Sequence, residues 1–168
     1  MAPLTPALIT SPEPLSDKHD LSGFSCGESV LDQWLRQRAG KNEGRGASRT
    51  YVVCEDNIVI AYYCLAVGSI EHCFAPGNIR RNMPEPIPVM VLGRLAVDTR
   101  HKGKNIGSAL VRDALSRTLR VAEEVGLRAL LVHALNERAA DFYKRLGFVP
   151  SPFDPLMLFL GLKELRRA

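Results

Sequence analysis

A chain of 168 residues, 46% of them apolar, is long enough to bury one sizeable core and too short for two comfortable ones. No apolar run approaches the roughly 18 residues of a membrane helix, and "MAPLTPALITSPEP" lacks the charged-then-apolar order of a secretory signal, so the cytoplasm is the expected location. A net charge of +4 favours anionic partners without naming one.

"LITSPEPL" reads as a first short strand ended by prolines. "GESVLDQWLRQRA" places Val30, Leu31, Trp34 and Leu35 at helical spacing, and Gly40 is expected to stop that helix. "RTYVVCEDNIVIAYYCLAVGSIEH" has two β-branched and aromatic runs around "EDN", the pattern of a hairpin. "APGNIRRNMPEPIP" is a loop or a short broken helix. "VMVLGRLAV" reads as a central strand, with Gly93 marking a bulge or a close backbone approach. From Ser108, the residues Leu110, Val111, Ala114, Leu115, Thr118, Leu119, Ala122 and Val125 mark one helical face, stopped by Gly126. "RALLVHAL" is a buried strand. Asn136 sits where an N-cap belongs, ahead of "ERAADFYKRL", and Gly147 fits the left-handed position after that helix. "PLMLFLGLKEL" is expected to close the sheet. The order β-α-β-β-β-α-β-α-β describes an α/β domain with a mixed sheet, without repeats or low-complexity segments.

The four cysteines, Cys26, Cys54, Cys64 and Cys73, form no C-x-x-C pair and have no histidines at metal spacing. They read as reduced, buried hydrophobes, and no metal is expected. Positive charge is concentrated: "RQRAGKNEGRGASR", from Arg36 to Arg49, holds five basic residues against one acid, Glu43. Further basic pairs stand at Arg80–Arg81 and Arg166–Arg167. A solvated face and a polyphosphate or nucleic-acid surface both fit such clusters.

The join of the central strand and the next helix, "VDTRHKGKNIGSAL", is the most informative stretch. A helix N-terminus offers unpaired N–H groups and partial positive charge, and glycine lets backbone approach a ligand closely. Arg100, Lys102 and Lys104 around Gly103 and Gly107 suit a pyrophosphate. "NIGSAL" lacks the lysine of a P-loop, and the glycine spacing is not that of a dinucleotide site.

"RLAVDTRHKGKNIGSALVRDAL" resembles motif A of the GNAT acetyltransferases, and "NERAADFYKRLGF" resembles their motif B. "FSCGESVLDQWL", "GNIRRNMPEPIPV" and "LGRLAVD" narrow the resemblance to GNAT toxins of the TacT/AtaT type, over roughly residues 20–165. The resemblance implies a single GNAT domain over residues 1–168, a central mixed sheet flanked by helices, and acetyl-CoA as the cofactor. It implies transfer of acetyl to the α-amine of aminoacyl-tRNA, which blocks translation. It also implies a homodimer, a cognate ribbon-helix-helix antitoxin, and contact with DNA only through that antitoxin.

Carried over residue by residue, the cofactor would lie on Leu95, Ala96, Val97, Lys102, Gly103, Lys104, Asn105, Ile106, Gly107 and Ser108, with Asn136 and Phe142 from motif B. Asn105 stands where the motif has its first glycine, and Lys102 where glutamine or arginine is usual. Tyr143 would be the general acid to the departing sulfur. Arg36, Lys41, Arg45, Arg49, Arg80 and Arg81 are the expected tRNA contacts. Other roles stay open: Tyr143 as a core aromatic, Asn136 as a plain cap, His133 as a core residue or a base, and Trp34 as helix core or a base-stacking platform. Two other functions also fit: a GNAT enzyme for a small or protein amine, and a non-catalytic module that binds RNA or a partner.

Overall fold

A computed structural model of the protein describes residues 8–165, which leaves the basic pair Arg166–Arg167 outside the described residues. Seven strands hydrogen-bond in the order β1-β2-β3-β4-β5-β7-β6: β1 (Glu13–Pro14), β2 (Arg49–Glu55), β3 (Ile58–Ile70), β4 (Ile87–Val97), β5 (Ala129–His133), β6 (Val149–Pro150) and β7 (Met157–Gly161). The β4–β5 pair is parallel, while β1–β2, β5–β7 and β6–β7 are antiparallel, so the sheet is mixed as expected. Among the described residues no helix is long and apolar enough to cross a membrane.

The chain divides into two compact units. One comprises residues up to Cys64 together with Arg94–Val111; the other comprises Leu65–Gly93 together with the chain from Arg112. In the first, Phe24, Leu35, Ala39, Val52, Val59, Tyr62 and Ala96 share a core. In the second, Ile79, Ile87, Val89, Ala129, Leu131, Met157 and Phe159 do so. Each of the larger aliphatic and phenylalanine side chains contributes about 1.5–3 kcal/mol by leaving water.

The β2–β3 hairpin forms as expected, and its turn residues Asp56 and Asn57 both take positive φ, at 52° and 63°. That geometry matches the right-handed strand twist and suits these two residue types. Elsewhere the boundaries depart from the sequence expectations. Gly40 does not stop the first helix. The chain runs through α1 (Ser29–Trp34), a π-helical turn (Leu35–Ala39) and α2 (Gly40–Arg45), and the left-handed stop falls at Gly46, φ 72°. Burial of Leu35 and Ala39 offsets the roughly 1 kcal/mol that a helical glycine costs.

The first strand is shorter than expected but does end on a proline, Pro14, which pairs within β1 at the sheet edge, where a missing N–H does no harm. The helix α4 (Ile106–Val121) ends short of Gly126, since Val125 is exposed and has no core to join. The last apolar run does not close the sheet. It forms β7, inside the sheet, and the unforeseen two-residue β6 lies at the edge. Short helices α3 (Gly77–Arg80), α5 (Glu137–Arg145) and α6 (Leu162–Leu165) complete the fold.

The four cysteines are free thiols, and Cys26, Cys54 and Cys64 are buried. Burial pushes Cys26 and Cys54 up to about 11, so they stay protonated and unreactive at neutral pH. Cys73 is exposed, against expectation.

Candidate active site

The turn after β4 is built around Asp98, which is 1% exposed. Its carboxylate accepts from Ser25 N at 3.1 Å, from Arg100 N at 3.0 Å, and from Arg100 Nε and Nη2 at 3.0 and 3.2 Å. Burial alone would raise its pKa; the Arg100 and Ser25 hydrogen bonds and the Arg100 charge outweigh burial and hold it at about 2. Thr99 N donates to Ser25 O at 2.9 Å and Lys102 Nζ to Cys26 O at 2.6 Å, so residues 25–26 brace the turn. Lys104 Nζ lies 3.2 Å from His101 Nδ1. The basic character of the loop thus has an internal cause: Arg100 neutralises a buried acid, and Lys102 spends one of its three donors on the protein.

Gly103 and Asn105 have φ of 81° and 61°. Asparagine is among the few residues that tolerate this region, so the turn survives without glycine at 105. Asn105 O then accepts from Ala109 N at 3.2 Å and leads into α4. The β4–β5 ladder runs from Val89↔Ala129 to Leu92↔Val132, so Gly93–Val97 extend past its last pair. Ala96 packs into the core while Leu95 and Val97 stay half-buried.

In the second unit, Asn136 caps α5, its Oδ1 accepting from Ala139 N at 2.9 Å. Gly147 has φ 99°, as its position required. Tyr143 is buried, with edge-on contacts to Phe142 (centroids 5.0 Å apart) and Phe148 (5.4 Å). His133 is exposed at the end of β5, which removes the core-histidine reading.

The proposed cofactor residues therefore fall into two sets: Leu95–Val97 and Lys102–Ser108 in one unit, and Asn136, Phe142 and Tyr143 in the other. The basic residues divide likewise. Arg36 donates to Phe24 O at 2.7 Å and Arg49 to Glu43 O at 2.9 Å, while Lys41 and Arg45 are exposed. Arg80 and Arg81 stand exposed at the end of α3, whose backbone is fixed by Arg128: its Nε donates to Ile79 O and its Nη2 to Asn78 O, both at 3.0 Å.

The acetyltransferase (GNAT) domain profile matches residues 46–150, a span that takes in both the β4 turn and α5. A tRNA-acetylating toxin of Mycobacterium tuberculosis is 48% identical over 157 residues, 94% of this chain and 95% of that protein. The chain belongs to the GNAT acetyltransferases. Among solved GNAT structures, AtaT complexed with acetyl-methionyl-tRNAfMet is 32% identical with a TM-score of 0.87, covering 95% of this chain and 98% of that one. A tyrosine-to-phenylalanine mutant of AtaT bound to the C-terminus of the antitoxin AtaR and to acetyl-CoA is 31% identical with a TM-score of 0.80, covering 95% and 96%.

Two groupings in this GNAT chain escaped the sequence reading. Glu13, His19 and Cys54 bring ligand atoms within 4.8 Å of one another. His19 Nδ1 accepts from Ser16 N at 3.0 Å, which leaves the proton on Nε2, directed at Glu13 Oε1 at 2.8 Å. Both ring nitrogens of His19 are hydrogen-bonded, so His19 clips Glu13 to the backbone at Ser16. The other is a stack: Trp34 lies on Tyr62, centroids 6.0 Å apart and rings 8° from parallel, and the Arg94 guanidinium covers the Trp34 ring 4.8 Å from its centroid. Trp34 packs against the first core and carries Arg94, so it serves as helix core rather than as a base-stacking platform. A charged residue inside an apolar strand was the available signal, because such a residue demands partners.

Proposed function

We propose that this chain is a toxin-type N-acetyltransferase that moves acetyl from acetyl-CoA to the α-amine of aminoacyl-tRNA and so blocks translation. The observation that carries the reading is the 48% identity to a tRNA-acetylating toxin over nearly the whole of both chains. Acetyl-CoA fits the residues present. The β4 backbone past Leu92 can pair with an extended pantetheine, and the turn at Gly103 and Asn105 brings N–H groups of the α4 start toward a pyrophosphate. A single GNAT domain over residues 1–168, cytoplasmic and homodimeric, is part of the same reading. So is neutralisation by a cognate ribbon-helix-helix antitoxin through which alone the protein meets DNA.

Acetyl-CoA supplies the thioester carbonyl and the departing thiolate. An α-amine with a pKa of about 7.7–8.0 is already partly neutral at pH 7, whereas a lysine amine near 10.4 requires a strong base. The chain therefore needs an acid more than a base. The Tyr143 hydroxyl donates a proton to sulfur, its ring fixed by Phe142 and Phe148. Backbone N–H groups around Leu95–Val97 stabilise negative charge on the carbonyl oxygen. Lys41, Arg45, Arg80 and Arg81 attract tRNA phosphates, with Arg36 and Arg49 sharing their charge with the fold.

Mass spectrometry of total aminoacyl-tRNA after incubation with acetyl-CoA tests this. Acetylated α-amines are the expected product. Acetyl found only on small amines or protein lysines would replace the substrate, and binding without any transfer would replace the enzyme with a binding module.

A further inference from the structure

Arg94 carries a feature that the fold does not explain. Its guanidinium lies over Trp34, 4.8 Å from the ring centroid, yet its Nε is buried and has no hydrogen-bond partner among the described residues. A buried orphan donor costs about 1–3 kcal/mol, and an apolar side chain would cover Trp34 without it. Arg94 lines an open pocket of about 200 Å³ with Val30, Gln33, Trp34, Gln37 and Arg38. The five helical residues recur at i, i+3, i+4, i+7 and i+8 along one stripe, and Gln37 and Arg38 belong to the π-helical turn Leu35–Ala39, a feature that clusters at functional sites.

The lining names the ligand chemistry. Two arginines and two glutamines offer donors, and no acid faces the pocket. A guanidinium held over an aromatic ring is restrained while N–H donors stay available, which suits an oxyanion taken through two oxygens. The pocket is smaller than a typical small-molecule site of about 300–1,000 Å³, so it takes one group of a larger ligand. Arg94 directly precedes Leu95, where the acetyl group is placed above. The phosphate nearest the acceptor amine is the one that joins the last two nucleotides.

We infer that the Arg94–Arg38 pocket grips the terminal phosphodiester of the aminoacyl-tRNA acceptor end, an inference that rests on the substrate reading above. The test uses two aminoacylated minihelices, one natural and one with an uncharged methylphosphonate at the last linkage. The wild type should lose about 10- to 100-fold in kcat/KM on the methylphosphonate substrate, as for one charged hydrogen-bonded contact. Arg94→Lys should lose a similar factor on the natural minihelix and little more on the modified one. Arg38→Gln, on an exposed side chain, should repeat that pattern at smaller size and guards against a folding defect at Arg94.

Trp34 is the single tryptophan, so its emission should shift with the natural minihelix and not with the modified one. Variant losses that are the same on both minihelices, or a wild type indifferent to the modification, would overturn the inference alone. If the wild type acetylates neither substrate while the emission still distinguishes them, the pocket stands and the substrate reading falls. If it acetylates neither and the emission is also indifferent, both fall.

Discussion

The turn that follows β4 is fixed by hydrogen bonds and charge, whereas Tyr143 on α5 is fixed by aromatic packing. Asp98 gathers four donors from two segments, and Lys102 ties the turn to Cys26. Tyr143 sits between the rings of Phe142 and Phe148. A loop meant to meet a pyrophosphate must keep its N–H groups outward, so its rigidity comes from a buried acid beneath it. The Tyr143 ring, from which the proposed proton donor projects, is held by its two aromatic neighbours. The two regions should therefore fail in different ways.

The largest effect is expected where packing can be kept and chemistry removed. Tyr143→Phe preserves both ring contacts and should lose acetylation by about 10²–10⁴-fold while keeping the fold and acetyl-CoA binding. Near-wild-type turnover would take Tyr143 out of the reaction.

The polar region should instead respond to pH. The Asp98 carboxyl, held at about 2 in the fold against about 3.9 in an unfolded chain, lends stability that is complete above pH 4. That stability is lost as the pH falls through 2. Asp98→Asn should cost about 1–3 kcal/mol at pH 7 and flatten the acid limb of the stability profile. Chemical unfolding of both forms between pH 2 and 7 checks it, and parallel curves would show that the charge is idle.

Basic residues extend the contrast. Arg36 is spent on Phe24 O, while Arg80 and Arg81 project from a helix end anchored by Arg128. Reversing Arg80 and Arg81 to glutamate should weaken tRNA binding and lower the salt slope by about two, leaving thioester hydrolysis intact. Arg36→Glu should reduce stability first, which a melt would show.

The smallest effect is expected at Asn105. At φ 61° it is tolerated, and Asn105→Gly relieves residual strain of at most about 1 kcal/mol and clears the side chain from the loop. Acetyl-CoA should bind more tightly by less than about tenfold in calorimetric titration. Unchanged affinity would mean that the side chain points away or makes a phosphate contact of its own.

Much of the fold was written locally. The "EDN" turn, the Asn136 cap and the Gly147 stop each depend on residues a few positions apart and formed where the sequence placed them, and the strand–loop–helix join formed with its helix starting at Ile106, two residues before the expected Ser108. Motif resemblance also marked the chemistry-bearing stretches before any contact was known. What the sequence could not decide were outcomes of long-range burial. The first helix ran through Gly40 because Ala39 found a core to fill, and α4 stopped early because Val125 found none. The last apolar run went inside the sheet because β6 took the edge.

The same holds for charge. Sequence alone showed that the loop was basic; only the tertiary structure set Asp98 beneath Arg100, gave Lys102 to Cys26 and laid Arg94 on Trp34. Such pairings join residues up to 76 positions apart. Backbone propensity acts over a turn or two, while the partner of a charge is chosen by whatever folding brings beside it.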